Sequence, residues 1–101
     1  MTKQLTLTSI AVLHAIAHGA RHGFEIIDKC EAPGGTVYPA LTRLQRDGLL
    51  TSAWEAVTDA RREKRPPRRY YAITPAGKRA LNDALARVHA MTPARLGRSE
   101  R

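Results

Sequence analysis

A short amphipathic segment bounded by two glycines, Gly35 and Gly48, is the feature that most constrains what this chain can fold into. Its apolar residues recur at i, i+3, i+4 and i+7, the spacing of one helix face: Val37, Ala40, Leu41 and Leu44. The opposite face is polar and cationic: Thr36, Tyr38, Thr42, Arg43, Gln45 and Arg46. Hydroxyl, amide and guanidinium groups bond phosphate oxygens and base edges, so we predict a DNA-recognition helix. The alternative is an ordinary helix with a solvated basic face.

The residues before this helix predict a helix-turn-helix. Arg21–Cys30 has the pattern of a shorter helix, with Phe24 and Ile27 facing inward and Ile26 a further candidate for that face. Pro33 cannot continue a helix, and Gly34-Gly35 permits a sharp turn. Two helices with so short a connection, the second of them basic, are typical of a helix-turn-helix unit.

In this interpretation the N-terminal half of the recognition helix enters the major groove of DNA. The hydroxyl groups suit phosphates or base edges, and the guanidiniums suit phosphates or guanine. The candidate DNA contacts on this helix are Thr36, Tyr38, Thr42, Arg43 and Arg46.

Two further segments and a basic loop predict a β-hairpin wing. Residues 50–56 can alternate between two faces, and residues 69–73 are aromatic and branched. From position 59 to position 69 the chain holds six basic residues and two acidic ones, and Pro66-Pro67 stiffens the loop. Its cations could follow phosphates or enter a minor groove: Arg61, Arg62, Lys64, Arg65 and Arg68. The alternative is a charged loop that keeps the protein soluble and does not touch DNA.

Apolar residues on the first and last helices predict a partner subunit. Leu5–Gly19 is apolar around most of its girth, so one side can face the core and the other a second copy. The last helix, capped by Thr74 and begun by Pro75, carries an apolar stripe that suits a partner helix. The candidate dimer contacts are Ile10, Leu13, Leu81, Leu85 and Val88.

The length of 101 residues indicates one domain, and the charge indicates a nucleic-acid partner. Seventeen basic residues against nine acidic ones give a formal net charge of +8, a footprint that ribosomal proteins and membrane-surface peptides share. Cys30 stands alone, so no intramolecular disulfide can form. No signal-peptide pattern and no run of ~18 apolar residues is present, so we expect a cytoplasmic protein without a membrane partner.

The sequence shows no catalytic constellation, Gly-rich phosphate loop or metal-ligand cluster, so we expect neither an enzyme nor a cofactor or metal site. His14, His18 and His22 have helical spacing, but no carboxylate or thiol lies at ligand spacing, which favours packed histidines over zinc. Cys30 could be a redox switch or, as we favour, a half-buried small apolar residue. Trp54 could stack a flat ligand, but a core or interface position is the ordinary interpretation.

The order helix, helix, basic helix, strand, basic loop, strand, helix is that of a winged helix-turn-helix, a mainly α (α+β) fold. Four segments resemble the PadR-like transcriptional regulators: H-G-F-E-I at 22–26, P-G-G-T-V-Y-P-A-L-T-R-L at 33–44, D-G-L-L at 47–50 and P-R-R-Y-Y-A-I-T-P-A-G at 67–77. The resemblance implies a dimeric bacterial or archaeal repressor. Its winged domain would bind a palindromic operator, and its C-terminal helix would help to form the dimer.

The resemblance also implies roles for single residues. It places Tyr38, Pro39 and Arg43 on the DNA-facing helix and Tyr71 and Thr74 at the end of the wing. Pro39 is expected in the first helical turn, where its missing N–H removes no helical hydrogen bond. The single C-terminal helix resembles the short subgroup of the family.

We therefore predict a homodimeric transcriptional repressor with a winged domain at 1–74, a dimerisation helix at 75–92 and a disordered basic tail at 93–101. Its two recognition helices would lie about one DNA turn apart, ~34 Å. A small-molecule effector, if one exists, would have to change that spacing. The alternative is a winged-helix module that binds an acidic protein partner and does not read DNA.

Overall fold

Five helices and one two-stranded sheet form the part of the chain that the computed structural model describes, residues 5–91. The elements are, in order, α1 (Leu7–Ala17), α2 (Gly23–Cys30), α3 (Gly34–Arg46), β1 (Leu50–Trp54), α4 (Val57–Arg62), β2 (Arg69–Ile73) and α5 (Pro75–Met91). This is the predicted winged helix-turn-helix order with one added helix, α4. No helix in this range is long and apolar enough to span a membrane. The predicted tail at 93–101 lies outside the described residues.

Helix α1 lies at the centre of the core. Its first turn is capped by Thr6, whose Oγ1 accepts a hydrogen bond from the Ser9 N–H at 3.0 Å. Val12 and Leu13 are fully buried, and α1 packs against α2, α3, α5 and β2. Other elements of the same chain therefore cover much of the apolar surface of α1. From the sequence alone, part of that surface is expected to face a partner subunit.

The apolar face of α3 is buried as predicted. Val37, Ala40, Leu41 and Leu44 are at most 1% exposed, and Ile26 of α2 joins them in the same core. Full burial of a large aliphatic side chain stabilises a fold by roughly 1.5–3 kcal/mol. This face therefore determines how α3 is rotated about its axis.

The inward face of α2 differs from the prediction. Phe24 is 78% exposed whereas Ile26 is fully buried, so the prediction that Phe24 faces inward is wrong. Helix α2 begins at Gly23, and with that start Ile26, Ile27 and Cys30 turn toward the core.

The turn between α2 and α3 does not use the glycine pair. Glu31 adopts a left-handed conformation with φ 53°, Pro33 is the N-cap of α3, and Gly34 is already helical. Because α3 begins earlier than predicted, Pro39 lies in its second turn, and the prediction of a first-turn position is wrong. Proline has no N–H to donate to the Gly35 carbonyl, so one helical hydrogen bond is missing on the exposed side of α3.

The wing consists of β1 and β2, paired antiparallel with Leu50 opposite Ile73 and Trp54 opposite Arg69. One face of this hairpin begins in the core at Leu50 and ends at Trp54, which is 65% exposed. Alternate side chains of a strand share a face, and β1 packs beside α3. The inner face of the wing therefore leads from the core to the side of α3.

The loop predicted between the strands contains the short helix α4, and the prediction is corrected on this point. Its sequence V-T-D-A-R-R includes good helix formers, and Ala60 alone among its residues is buried. One inward residue is too weak a pattern to predict an amphipathic helix. The sequence alone therefore indicates a charged loop for this segment. Pro66-Pro67 follows after the helix has ended.

Helix α5 begins at the predicted cap. The Thr74 hydroxyl donates to the Gly48 carbonyl at 2.8 Å and accepts from the Gly77 N–H at 2.9 Å, and Pro75 is the first helical residue. Gly77 packs so closely on the Leu49 carbonyl that a Cβ there would overlap it. The start of α5 is therefore fixed against the segment that leads from α3 into the wing.

Two of the predicted dimer contacts belong to the core of the single chain. Leu13 and Leu81 are both buried, so their assignment to a subunit surface is corrected. The apolar stripe of α5 continues past the core, where Leu85 is 39% and Val88 41% exposed. Ile10 of α1 is half-buried. Of the predicted dimer contacts, Leu85 and Val88 therefore lie on an exposed part of α5, and Ile10 follows the exposed start of α1.

Candidate nucleic-acid interface

The outward surface of α3 forms the centre of the candidate site. Residues at i, i+4, i+7 and i+11 share its outermost line, and all four are exposed: Gly35, Pro39, Thr42 and Arg46. Tyr38 and Gln45 lie on the edge that faces the wing, whereas Thr36 and Arg43 lie on the opposite edge. The predicted recognition residues therefore share one surface, with Arg43 half-buried at its margin.

Two glycines make room for the Tyr38 ring. A Cβ at Gly23 would overlap the Tyr38 hydroxyl, and a Cβ at Gly34 would lie 3.2 Å from its Cε2. The ring therefore lies against the backbone of both α2 and α3 while remaining partly exposed. Thr42 Oγ1 donates to the Tyr38 carbonyl at 3.1 Å, which leaves the lone pairs of that hydroxyl for other donors. Gly34 thus serves the packing of Tyr38 rather than a turn.

A chain of hydrogen bonds joins the wing to α3. Arg69 Nε donates to Ser52 Oγ at 2.9 Å, and Ser52 Oγ donates to Gln45 Oε1 at 3.0 Å. The Arg69 guanidinium also lies over the Trp54 ring, 5.4 Å from its centroid. We call these three residues the Arg69–Ser52–Gln45 relay. It fixes the start of β2 relative to α3.

An aromatic groove of about 480 Å³ lies between the start of α2, α3 and the wing. Four aromatic side chains and two arginines are among the residues that line it: Phe24, Tyr38, Trp54, Tyr71, Arg68 and Arg69. Trp54, which the sequence favoured for a core or interface, is an exposed wall of this groove in the single chain. The groove has the size and the aromatic surface to accept a flat ligand.

Glu55 holds the segment after α4 against the wing. Arg65 donates to its carboxylate from both Nη1 and Nη2, the latter at 2.8 Å, and the Arg68 N–H donates at 3.1 Å. The hydrogen bonds from Arg65 lower the pKa of Glu55 to about 2, although burial opposes them. Arg65 is a predicted DNA contact, but in this structure its charge is paired and its side chain is largely covered. Arg65 therefore holds the segment after α4 to Glu55 at the end of β1.

The other predicted wing cations are placed in two locations. Arg61, Arg62 and Lys64 are exposed on α4 and the turn after it, and Arg62 lies 3.5 Å from Asp59. An exposed ion pair of this kind contributes only about 0–1 kcal/mol, so Arg62 remains able to bind an anion. Arg68 is half-buried and lines the aromatic groove. The structure thus divides the predicted contacts between α4 and the groove.

Several residues of this surface are absent from the predicted contacts. Strand alternation could have revealed Ser52 and Arg69, since each shares its strand's inner face with a residue at the core end of the wing. Tyr71, which the resemblance places at the end of the wing, lines the groove, whereas Thr74 is committed to the cap of α5. Glu55 had no sequence signal, because its partner lies ten residues further on.

Three of the histidines make aromatic ring contacts, and two of these three, His14 and His18, are exposed. The His14 and His18 rings stack with centroids 4.1 Å apart, and the His22 ring meets Tyr70 edge-on at 6.0 Å. Within residues 5–91, no three His, Cys, Asp or Glu side chains are placed to hold a metal ion. Cys30 is half-buried, and burial raises the pKa of its thiol, so the unreactive protonated form dominates.

Comparison with known proteins identifies relatives of this chain. Residues 12–83 match the family described as "Transcriptional regulator PadR-like family". The transcriptional regulator Rv3488 of Mycobacterium tuberculosis is 36% identical over 85 residues, which cover 79% of this chain and 74% of that protein. The structure of a PadR-like transcription factor from Bacteroides fragilis superposes with a TM-score of 0.70 and 28% identity, covering 82% of this chain and 81% of that one. A PadR family regulator from Clostridium difficile R20291 gives a TM-score of 0.74 at 21% identity, covering 85% and 91%.

We predict that Glu55→Gln destabilises the protein at pH 7 and that this effect fades in acid. The pKa of Glu55 is about 2 in the folded protein, whereas an unfolded glutamate has a pKa of ~4.3. Because the folded pKa is lowered, the stabilisation from the Arg65 pair is fully present above the unfolded pKa. It is lost as the pH falls through the folded pKa. Urea unfolding of the wild type and of Glu55→Gln, from neutral to strongly acidic pH, measures whether their free energies of unfolding converge.

Asp59→Asn is the matched control for this experiment, since it removes a carboxylate from the exposed pair with Arg62. Its free energy of unfolding at pH 7 should stay within ~0.5 kcal/mol of the wild-type value. Identical unfolding curves for Glu55→Gln and the wild type at pH 7 would show that Glu55 does not clamp the wing.

Proposed function

This chain belongs to the PadR-like family of transcriptional regulators, and we propose that it represses transcription by binding a palindromic operator as a homodimer. The observation that carries the proposal is the shared surface of α3 and β2, on which cations and hydroxyl groups face outward together. Asp47, 3.6 Å from Arg46, is the one carboxylate at the end of α3. Such a surface attracts the phosphate backbone of DNA and offers donors for base edges.

In the proposed complex, α3 enters the major groove with its N-terminal half, as the recognition helices of helix-turn-helix proteins do. Thr36, Tyr38 and Thr42 then lie near phosphates and base edges. Arg43 lies half-buried at the margin of this surface, and its guanidinium has the fork that suits a bidentate contact to guanine. The exposed cations of α4 extend the contact along the DNA backbone.

The C-terminal half of α5 supports the homodimer. Leu85, Val88 and Met91 continue the stripe that is buried nearer the start of the helix, yet the single chain leaves all three exposed. Exposed apolar side chains in a contiguous patch are typical of an interaction site. We therefore assign DNA binding to residues 1–74 and dimerisation to residues 75–92, with the two copies of α3 ~34 Å apart in the complex.

A duplex-selection experiment tests the DNA-binding part of the proposal. We expect the protein to enrich a palindromic sequence from a random library and to bind it at least ~10³-fold more tightly than a random duplex. The affinity should fall steeply with salt, because each phosphate contact releases condensed counterions. Fluorescence anisotropy at several salt concentrations measures both quantities. Equal affinity for selected and random duplexes would reject specific repression, and binding to no duplex would fit the protein-binding module instead.

We predict that Leu85→Glu dissociates the homodimer, because it would bury a charge in an apolar contact. Ala86→Glu is the control, since Ala86 is exposed on another side of α5 and glutamate is a good helix former. Analytical ultracentrifugation at micromolar protein concentration separates monomer from dimer. A Leu85→Glu variant that sediments as the wild-type dimer would exclude this stripe as the interface.

Release by a small-molecule effector is the last part of the proposal, and the aromatic groove supports it. Tyr38 of α3 and Trp54 of the wing both line the groove, so a flat ligand there would contact both DNA-binding elements. With Arg68 and Arg69 in its wall, the groove favours planar acids over planar cations. We expect a planar aromatic acid to raise the melting temperature and Trp54→Leu to abolish the rise. The absence of a shift with both ligand classes would remove the groove as an effector site.

A further inference from the structure

A notch lies between the C-terminal half of α3 and the wing. Five polar side chains line it: Thr42, Gln45, Arg46, Arg69 and Tyr71. They supply two guanidiniums, an amide and two hydroxyl groups, of which the Thr42 hydroxyl already donates to the Tyr38 carbonyl. None of the described residues lining the notch is a carboxylate. We call this site the α3–β2 notch. Its composition matches a phosphodiester, whose oxygens accept hydrogen bonds and share one negative charge.

Arg69 is positioned for a ligand by the groups around it. Its Nε donates to Ser52 and its guanidinium lies over Trp54, so one edge and one face are occupied. Within residues 5–91, its side chain makes no other hydrogen bond and no salt bridge, so both terminal amino groups remain available. A guanidinium held in this way has little rotamer freedom to lose on binding, and its fork matches two phosphate oxygens.

The other lining groups complete the set of donors. Ser52 donates to Gln45 Oε1, which leaves the amide Nε2 of Gln45 for a ligand. Burial raises the pKa of the Tyr71 hydroxyl against the opposing effect of Arg69, so the hydroxyl keeps its proton at neutral pH. Arg46 is exposed, and its 3.6 Å contact with Asp47 is a weak surface pair. Its guanidinium can therefore turn to an incoming anion at small cost.

We propose that the α3–β2 notch binds one backbone phosphate of duplex DNA, with Arg69 and Arg46 as its cations. Tyr71 and Gln45 act as neutral donors, and Ser52 is a positioning residue that acts through Arg69. The inference rests on the proposed DNA-binding function. It adds a specific DNA phosphate that would contact both α3 and the wing. A phosphate held here touches both elements, so it sets the register of α3 in the major groove.

Methylphosphonate scanning of the selected duplex tests the notch, because each substitution removes the charge of a single phosphate. We expect one position in each half-site at which the substitution weakens wild-type binding by about tenfold, as the loss of a charge-assisted hydrogen bond does. Arg69→Gln alters both subunits, so it should weaken binding to the unmodified duplex by about a hundredfold and abolish the loss at that position alone. Arg61→Gln is the control, since it removes an equal charge from α4 and should keep the full loss there.

Two variants that preserve the net charge separate the notch from general electrostatics. Ser52→Ala removes the hydrogen bond that holds Arg69, so the loss at the critical phosphate should shrink to about threefold. Arg69→Lys keeps the charge but lacks the fork, so it should not restore the tenfold loss. Circular dichroism verifies that each variant is folded, and Arg69→Lys replaces Arg69→Gln if the latter is not.

The outcomes separate the two levels of the argument. A wild-type protein that selects no duplex contradicts the proposed function itself. If the wild type binds a palindrome but every phosphate-specific loss survives in Arg69→Gln and Arg69→Lys, the notch does not bind a backbone phosphate and the proposed function stands. If Arg61→Gln also loses the sensitivity at this phosphate, the proposed phosphate site is rejected. The effect would then come from the net charge of the protein and not from the position of Arg69.

Discussion

The burial of one apolar face of α3 is the constraint on which the rest of the site depends. Turning the helix would remove three large side chains from the core, Val37, Leu41 and Leu44, each worth roughly 1.5–3 kcal/mol. The polar side offers nothing comparable, since an exposed pair such as Arg46 with Asp47 contributes only about 0–1 kcal/mol. Apolar burial therefore decides which way the guanidiniums and hydroxyl groups of α3 face. The chemistry of the recognition surface is a consequence of packing on the opposite side.

The position of the wing derives from the same core. Leu50 is buried beside α3, Ser52 follows two residues later and bonds to Gln45, and Trp54 follows two residues after that in solvent. A single strand face thus changes from buried to exposed along its length. Arg69 stands opposite Trp54 in the register, so the pairing of the strands also decides which cation reaches the recognition helix.

The sequence was a sufficient guide wherever a pattern is local and periodic. The apolar face of α3 and the Thr74 cap each depend on residues a few positions apart, and both were predictable. The inward turn of α2 was not, because Phe24 looks apolar whether or not the core has room for it. The left-handed conformation of Glu31 and the Glu55–Arg65 pair could not be predicted either, for a related reason. A turn conformation at a non-glycine residue, and a contact across a loop, are decided by the packed structure rather than by spacing.

Arg69 connects the two proposed sites, because it lines both the aromatic groove and the α3–β2 notch. A ligand that stacks on Trp54 in the groove would take the face that holds this guanidinium, and the phosphate contact would be lost with it. Such a ligand could then control DNA binding without changing the ~34 Å spacing of the two copies of α3. From the sequence alone, an effector is expected to act on that spacing. The proposed dimer matters for another reason: two distant half-sites of a palindrome would contribute additively to the binding free energy, so a tenfold loss in each would become about a hundredfold loss in total.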